Sequence, residues 1–295
     1  MQKIRFVINP NSGTGKKNLL PDLINKFIDK KKYISEICLT NAPGHATELA
    51  KDAVEKEFNI VVAVGGDGSV NETAKALFKT NTVLGVIPTG SGNGLARHLG
   101  ISVDIEKSIN IINVGAVDKI DTLFVNDRFC IGTIGIGFDA HVAHLFAKAK
   151  KRGYSTYVIL VLTEFSSYKE KRFSILVDGQ LFEKDCFLLT FANSSQFGNN
   201  AVIAPFANIK DGIIDITIMS RFPAISAPSL IYRLMNNAIH GSRFFESLKG
   251  REIIVKNNGS MLGHIDGEPV IFNTDLKINI NPLSIKIIVP VIEKK

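Results

Sequence analysis

The chain has 295 residues, 45% of them hydrophobic, and a formal net charge of +7. That length suits one large domain or two ordinary ones, and the apolar fraction is enough for a sizeable core. No apolar run is long enough to span a bilayer, and the start runs at once into Ile4-Arg5-Phe6-Val7-Ile8 without a signal-peptide pattern, so a soluble cytoplasmic protein is expected. Cys38, Cys130 and Cys186 are scattered and odd in number, which reads as core side chains in a reducing compartment, and no Cys/His spacing suggests zinc.

In chain order, residues 3–9 form a short apolar strand pattern. Residues 18–30 carry Leu19, Leu20, Leu23, Ile24, Phe27 and Ile28 at helical spacing. A strand is expected over 33–40, a helix over 46–58, strands over 59–64 and 83–87, and a helix over 69–79. This βαβα order predicts a parallel sheet covered by helices, an α/β domain spanning 1–120. From 121 the pattern changes to short strands at 121–125, 128–131, 173–177, 187–192, 213–219, 251–256, 270–272 and 276–280. Turn pairs such as Asn126-Asp127 and Asp178-Gly179 punctuate them. Helices are expected at 140–151, 154–167 and 227–239. Residues 121–295 therefore read as a second domain built mainly of antiparallel sheet. A final strand over 284–289 is free to pair with either domain.

Each glycine-rich segment of the first domain follows a predicted strand, where open α/β sheets bind ligands. The first is Asn9-Pro10-Asn11-Ser12-Gly13-Thr14-Gly15-Lys16. It departs from the Walker pattern, because Pro10 and Lys17 stand where glycine and a hydroxyl residue are required. The second is Gly65-Gly66-Asp67-Gly68-Ser69-Val70-Asn71-Glu72. Glycines there let backbone N–H groups and a helix N-terminus hold phosphate oxygens. A bare carboxylate repels phosphate, so Asp67 is expected to face Mg²⁺, directly or through water. The third, Pro88-Thr89-Gly90-Ser91-Gly92-Asn93-Gly94-Leu95-Ala96-Arg97, fails the dinucleotide pattern because Leu95 replaces its last glycine. Ser91 and Asn93 offer polar side chains to a nucleotide.

The basic excess suits phosphorylated ligands or an acidic membrane, and no nucleic-acid-binding module is recognisable. Lys148, Lys150, Lys151 and Arg152 form one cluster, and Lys169, Lys171 and Arg172 another. The apolar segment between them makes an anionic lipid surface a candidate partner.

Taken together, the segments NPNSG, GGDGS, PTGSGNGLAR, GIGFDA, DGIIDI and HIDGEP occur in an order that resembles the diacylglycerol kinase catalytic family. That family includes bacterial lipid kinases, sphingosine kinases and ceramide kinases. The resemblance runs from Asn9 to about Pro269. It implies an N-terminal α/β nucleotide-binding domain like that of NAD kinase and phosphofructokinase, and a C-terminal β-sandwich. It implies transfer of the γ-phosphoryl group of ATP to a lipid hydroxyl with Mg²⁺, by a cytoplasmic protein resting on the inner face of the membrane. A homodimer is plausible by the same resemblance. Asn9, Pro10, Asn11, Ser12, Gly13, Thr40, Gly65, Gly66, Asp67, Gly68, Ser69, Asn71, Glu72, Ser91 and Asn93 would line the ATP site. Asp211, with carbonyls near Asn208 and Ile213, resembles the loop that holds a structural Mg²⁺. Asp266-Gly267-Glu268 resembles the catalytic segment, with Glu268 or Asp266 as proton acceptor and the other orienting or binding Mg²⁺. Gly94 stands where many bacterial members have Asp, which weakens strict diacylglycerol specificity. An NAD kinase-like enzyme and a nucleotide-binding regulatory protein without turnover are the rival readings.

Overall fold

The computed structural model describes residues 1–12, 19–149 and 153–291. The chain divides into two compact units: 1–121 with the chain from Leu283 onward, and 122–282.

The first unit is a parallel α/β layer. Its strands are β1 (Gln2–Ile8), β2 (Tyr33–Leu39), β3 (Ile60–Gly65) and β4 (Val83–Pro88). They order as β2-β1-β3-β4, and the last part of the final strand, Leu276–Val289, joins β4 in parallel. The helices are α1 (Leu20–Phe27), α2 (His45–Glu55), α3 (Asp67–Leu77), α4 (Gly94–His98) and α5 (Ile105–Val114). β3 is buried at all six positions, as expected of a central parallel strand covered on both faces. Helix α1 stops short of the predicted end because Ile28 turns to extended backbone. Ile4, Phe6, Val62, Ile24 and Ile109 meet in one core.

Sequence periodicity missed α4 and α5. For α5 the signal was present. Asp104 accepts a hydrogen bond from Lys107 N at 2.9 Å as its N-cap, and Ser108, Ile109 and Ile112 form the buried stripe.

The second unit opens with the later residues of β5 (Ala116–Val125) and continues through β6 (Arg128–Cys130) and β7 (Thr133–Gly137). Helices α6 (Phe138–Lys148) and α7 (Tyr154–Glu164) follow. Then come β8 (Lys171–Val177), β9 (Gln180–Cys186), β10 (Leu188–Ala192), the short pair β11 (Gln196–Gly198) and β12 (Ala201–Val202), and β13 (Ile214–Met219). Helix α8 (Ala227–Met235) precedes β14 (Phe245–Gly250), β15 (Glu252–Val255), β16 (Met261–Ile265), β17 (Glu268–Phe272) and β18 (Leu276–Val289). One antiparallel sheet runs β14-β13-β10-β7-β16-β17. In the other, β18 pairs with β5 and β15, and the order continues through β8 to β9. Ile134, Phe191 and Ile216 of one sheet pack with Leu123, Ile175 and Ile278 of the other, the core of a β-sandwich. The expected strands at 276–280 and 284–289 are one continuous strand, whose last part lies in the first unit.

Arg5 is a charge inside the first core. It is 2% exposed, donates to Asp52 Oδ2 at 2.6 Å, to Glu36 Oε2 at 3.0 Å and to Leu49 O at 2.8 Å, and lies over the Phe58 ring. Its hydrogen bonds hold the Asp52 carboxyl below the usual carboxylate range. Burial pushes His98 of α4 down to about 4. Both folded values are depressed, so both groups give stability that is present above their unfolded values and lost as the pH falls. Acid melts followed by circular dichroism should therefore lose stability in two stages, the first between the ordinary histidine value and about 4 from His98. His98→Gln should flatten that first stage. Asp52→Ala should flatten the second, and Glu36→Ala with Asp52→Ala should lower the urea midpoint more than either single change.

Candidate active site

In the first unit, four strand ends of the parallel sheet present their loops along one edge. Asn9 closes β1: its N–H donates to Val64 O at 3.0 Å, and its Nδ2 donates to Ser69 Oγ at 3.2 Å. Asn9 Oδ1 accepts from Asn11 N, which shapes the turn through Pro10. Ser12 Oγ donates to Asn9 O and lies 2.8 Å from Thr89 Oγ1, the residue after β4. Thr40 N donates to Ile8 O at 2.9 Å, so Thr40 closes β2 beside β1. Gly13, and with it residues 14–16 of the first loop and Lys150, Lys151 and Arg152 of the first basic cluster, lie outside the described residues.

The second and third loops touch backbone to backbone. A Cβ on Gly90 would lie 2.5 Å from Gly66 Cα, and a Cβ on Gly66 would lie 3.2 Å from Gly90 Cα. Only residues without side chains fit there. Gly65 O accepts from Thr89 N at 2.8 Å. Asp67 accepts from Asn93 N at 2.9 Å and from Gly94 N at 2.8 Å, one bond to each carboxylate oxygen. It thereby caps α4. This is different work from the Mg²⁺ contact expected of it. Asn93, at φ 52°, turns its amide back onto Gly90, whose N–H and carbonyl it satisfies at 3.0 and 2.7 Å. Ser91 projects into solvent.

Glu72 likewise fastens backbone. Its two oxygens accept from Gly44 N at 2.9 Å and Ala46 N at 3.2 Å, at the start of α2. Helix α3 itself begins at Gly66 without a side-chain cap. Its first turn, with Gly68 and the buried Ser69, opens at the loop edge, and half-buried Asn71 follows on the same helix. An uncapped helix N-terminus beside glycines in close approach is a cradle for phosphate oxygens.

In the second unit, the two carboxylates of the late segment are separated by their surroundings. Asp266, at φ 49°, accepts from Gly132 N at 2.8 Å, Thr133 N at 3.0 Å and Ile131 N at 3.0 Å. Cys130 Sγ donates to it at 3.3 Å, and burial followed by the charge of Asp266 pushes the Cys130 thiol well up. Asp266 is thus a fastener between the turn after β16 and the chain entering β7. Glu268 begins β17, is exposed, and has no side-chain hydrogen bond or ion pair among the described residues.

Behind that turn lies a buried cluster that sequence reasoning did not single out. His264 Nε2 is 3.1 Å from Asp139 Oδ2, with both side chains 5% exposed or less. Thr190 Oγ1 donates to the same oxygen at 3.3 Å, and Gly267 N donates to His264 Nδ1 at 3.4 Å. Any Cβ on Gly135 would collide with both Asp139 and His264. That requirement explains the glycine in Gly135-Ile136-Gly137-Phe138-Asp139, the signal that was available in the sequence. Burial, then the charge of Asp139, raises the Tyr157 and Tyr168 hydroxyls to about 12.

Asp211 sits in a separate turn. Its Oδ1 accepts from Ile213 N at 3.1 Å, its N–H donates to Asn208 O at 3.4 Å, and Asn208 Oδ1 accepts from Lys210 N. Asp215, at the start of β13, is buried with Lys249 Nζ 3.1 Å from its Oδ1. Burial, with a contribution from the charge of Asp211, raises the Asp215 pKa against the opposing pull of Lys249. Among the described residues no three Asp, Glu, His or Cys side chains converge as a metal cluster. No helix among them is long and apolar enough to cross a membrane.

Comparison with known proteins matches this architecture. Residues 3–125 match the family model for the diacylglycerol kinase catalytic domain. Residues 132–289 match the YegS C-terminal NAD kinase beta sandwich-like domain. The chain is 30% identical over 227 residues to the diacylglycerol kinase of Bacillus subtilis, covering 75% of each chain. It is 24% identical over 242 residues to a Pseudomonas putida protein named "Probable lipid kinase YegS-like", covering 81% of this chain and 80% of that one. A crystal structure of a diacylglycerol kinase from Bacillus anthracis superposes with a TM-score of 0.73 over 98% of this chain and 97% of that one, at 18% identity, and so shows the shared fold. The chain belongs to the diacylglycerol kinase catalytic-domain family of lipid kinases.

Proposed function

We propose that the protein transfers the γ-phosphoryl group of ATP to the hydroxyl of a lipid such as diacylglycerol, with Glu268 as the proton acceptor. The observation that carries this reading is the contrast between the two late carboxylates. Asp266 is surrounded by donors, whereas Glu268 is exposed and uncommitted on a turn that Asp266 holds. A general base needs a carboxylate with a lone pair available to the acceptor hydroxyl. Glu268 meets that need and Asp266 serves it by fixing the turn.

The cradle of Gly66, Gly90 and the α3 N-terminus suits the phosphates of ATP, and Asn9, Ser12, Ser69 and Thr89 are hydrogen-bonded into its wall. For Mg²⁺, the donor set at Asp211 fits a hard cation. The Asp211 carboxylate stands in a turn that its own N–H closes on Asn208 O, and the like charge it places on buried Asp215 is one a cation would relieve. Asp211 with the carbonyls of Asn208 and Ile213 would hold the ion, which would brace the turn. Asp67 is not needed as a ligand in this reading. Its work is to join two loops. The lipid acceptor places the protein at a membrane surface, with anionic lipid as its partner.

Incubation with labelled ATP and Mg²⁺ over a panel of lipids, with NAD as a competing acceptor, tests the activity. A labelled lipid is expected. Label on NAD alone, or on nothing, would sink the proposal. Glu268→Gln should lower turnover by about 10²–10⁴-fold, the usual contribution of a general base, with ATP affinity unchanged. Gly90→Ala should act the other way, because a Cβ 2.5 Å from Gly66 Cα forces the loops apart. ATP binding by calorimetry should weaken, and turnover should fall by up to about a hundredfold, as ångström-scale misplacement does.

A further inference from the structure

The outward face of α8 is apolar where a surface helix is normally charged. Pro228, Ile231, Tyr232 and Met235 are exposed at i, i+3, i+4 and i+7, so they form one stripe. Tyr232 is 68% exposed, and Ile225 in the turn just before the helix is 90% exposed. The opposite face is already used: Leu230 is buried and Leu234 packs with Phe138, Phe187 and Ile239. The helix is therefore apolar on two sides and, among the described residues, has a partner for only one.

Charge within the segment that carries the stripe has a single sign. No Asp or Glu occurs from 216 to 245, a stretch that contains Arg221, Arg233 and Arg243. Arg221 donates to Ser166 O at 3.2 Å and to Tyr168 O, which brings the chain before α8 against the end of α7. Lys169, Glu170, Lys171 and Arg172 follow there, all exposed and three of the four cationic, and Lys171 lies over the Tyr168 ring. Glu164 on the same side is paired with His141, and Arg172 is paired with Glu183.

We infer that the turn at Ile225 and the outer face of α8 dock the protein onto an anionic phospholipid bilayer, a surface that deepens, and rests on, the lipid-kinase reading. Ile225, Ile231, Tyr232 and Met235 enter the boundary between headgroups and acyl chains, and the arginines stay at headgroup level. An apolar face with a cationic border fits such an interface. A second copy of the chain fits it poorly. In a two-fold pair the same patch faces itself, and the cations would oppose cations.

Sedimentation with vesicles tests this. Wild type should bind phosphatidylcholine vesicles containing phosphatidylglycerol, and bind pure phosphatidylcholine vesicles far more weakly. Ile225→Glu with Tyr232→Glu should weaken binding to the anionic vesicles by at least about tenfold, since both apolar area and charge match are lost. Both side chains are exposed, so the variant should keep the wild-type melting curve. It should also keep wild-type turnover on a short-chain diacylglycerol dispersed below its aggregation limit. Equal vesicle binding by wild type and variant would overturn the proposal. So would failure of wild type to bind anionic vesicles, or a wild-type dimer that the double substitution splits in sedimentation velocity. If vesicle binding follows the prediction but no lipid is phosphorylated, the docking surface stands and the kinase reading falls.

Discussion

Two carboxylate hydrogen bonds organise the first unit. Asp67, at the start of α3, holds the N–H groups of Asn93 and Gly94 at 2.9 and 2.8 Å. The loops after β3 and β4 touch through glycine backbones. Backbone contact alone is weak, and charge-assisted bonds from a carboxylate to N–H groups are among the stronger ones available. Glu72, one and a half turns further along α3, does the same for the chain entering α2. Helix α3 is thus fastened on two sides, and its own uncapped first turn is left facing the loop edge.

The second unit repeats the device. Asp266 gathers three backbone N–H groups and a thiol, and this fixes a turn that would otherwise be an ordinary hairpin end. The buried Asp139–His264 pair braces the same turn from behind, through Gly267. Of the two acids of the segment, Asp266 does this fastening and Glu268 is left at the surface.

Much of this was legible in the sequence. The strand–glycine–helix pattern at Gly65 and Gly90 located the loops, because glycine without a Cβ is required where backbones meet. The change from βαβα to short strands marked the second unit. The motifs in order carried the family. Roles within the motifs were less legible. Asp67 read as a metal ligand because a carboxylate near phosphate needs a countercharge; its hydrogen bonds to Asn93 and Gly94 could not be read, because those residues are distant in sequence and nothing local points to them. Asp266 and Glu268 read alike because composition does not show which acid faces N–H groups. Residues 276–280 and 284–289 read as two strands, although one strand continues through Asn281-Pro282. The outward face of α8 was hidden because its apolar residues at helical spacing look like a core stripe, and only three dimensions show that Leu230 and Leu234 are the core and Ile231 and Tyr232 are not.

Asp67, Glu72 and Asp266 hold backbone in place, whereas Glu268 holds none among the described residues. Thermal unfolding of the four single alanine variants measures this most directly. Each fastener leaves two or more N–H groups without their acceptor, so Asp67→Ala, Glu72→Ala and Asp266→Ala should each melt roughly 3–10 °C below wild type, with Asp266→Ala lowest. Glu268→Ala should melt with wild type. A Glu268→Ala variant that melts as low as the other three, or an Asp266→Ala variant that melts unchanged, would contradict the account.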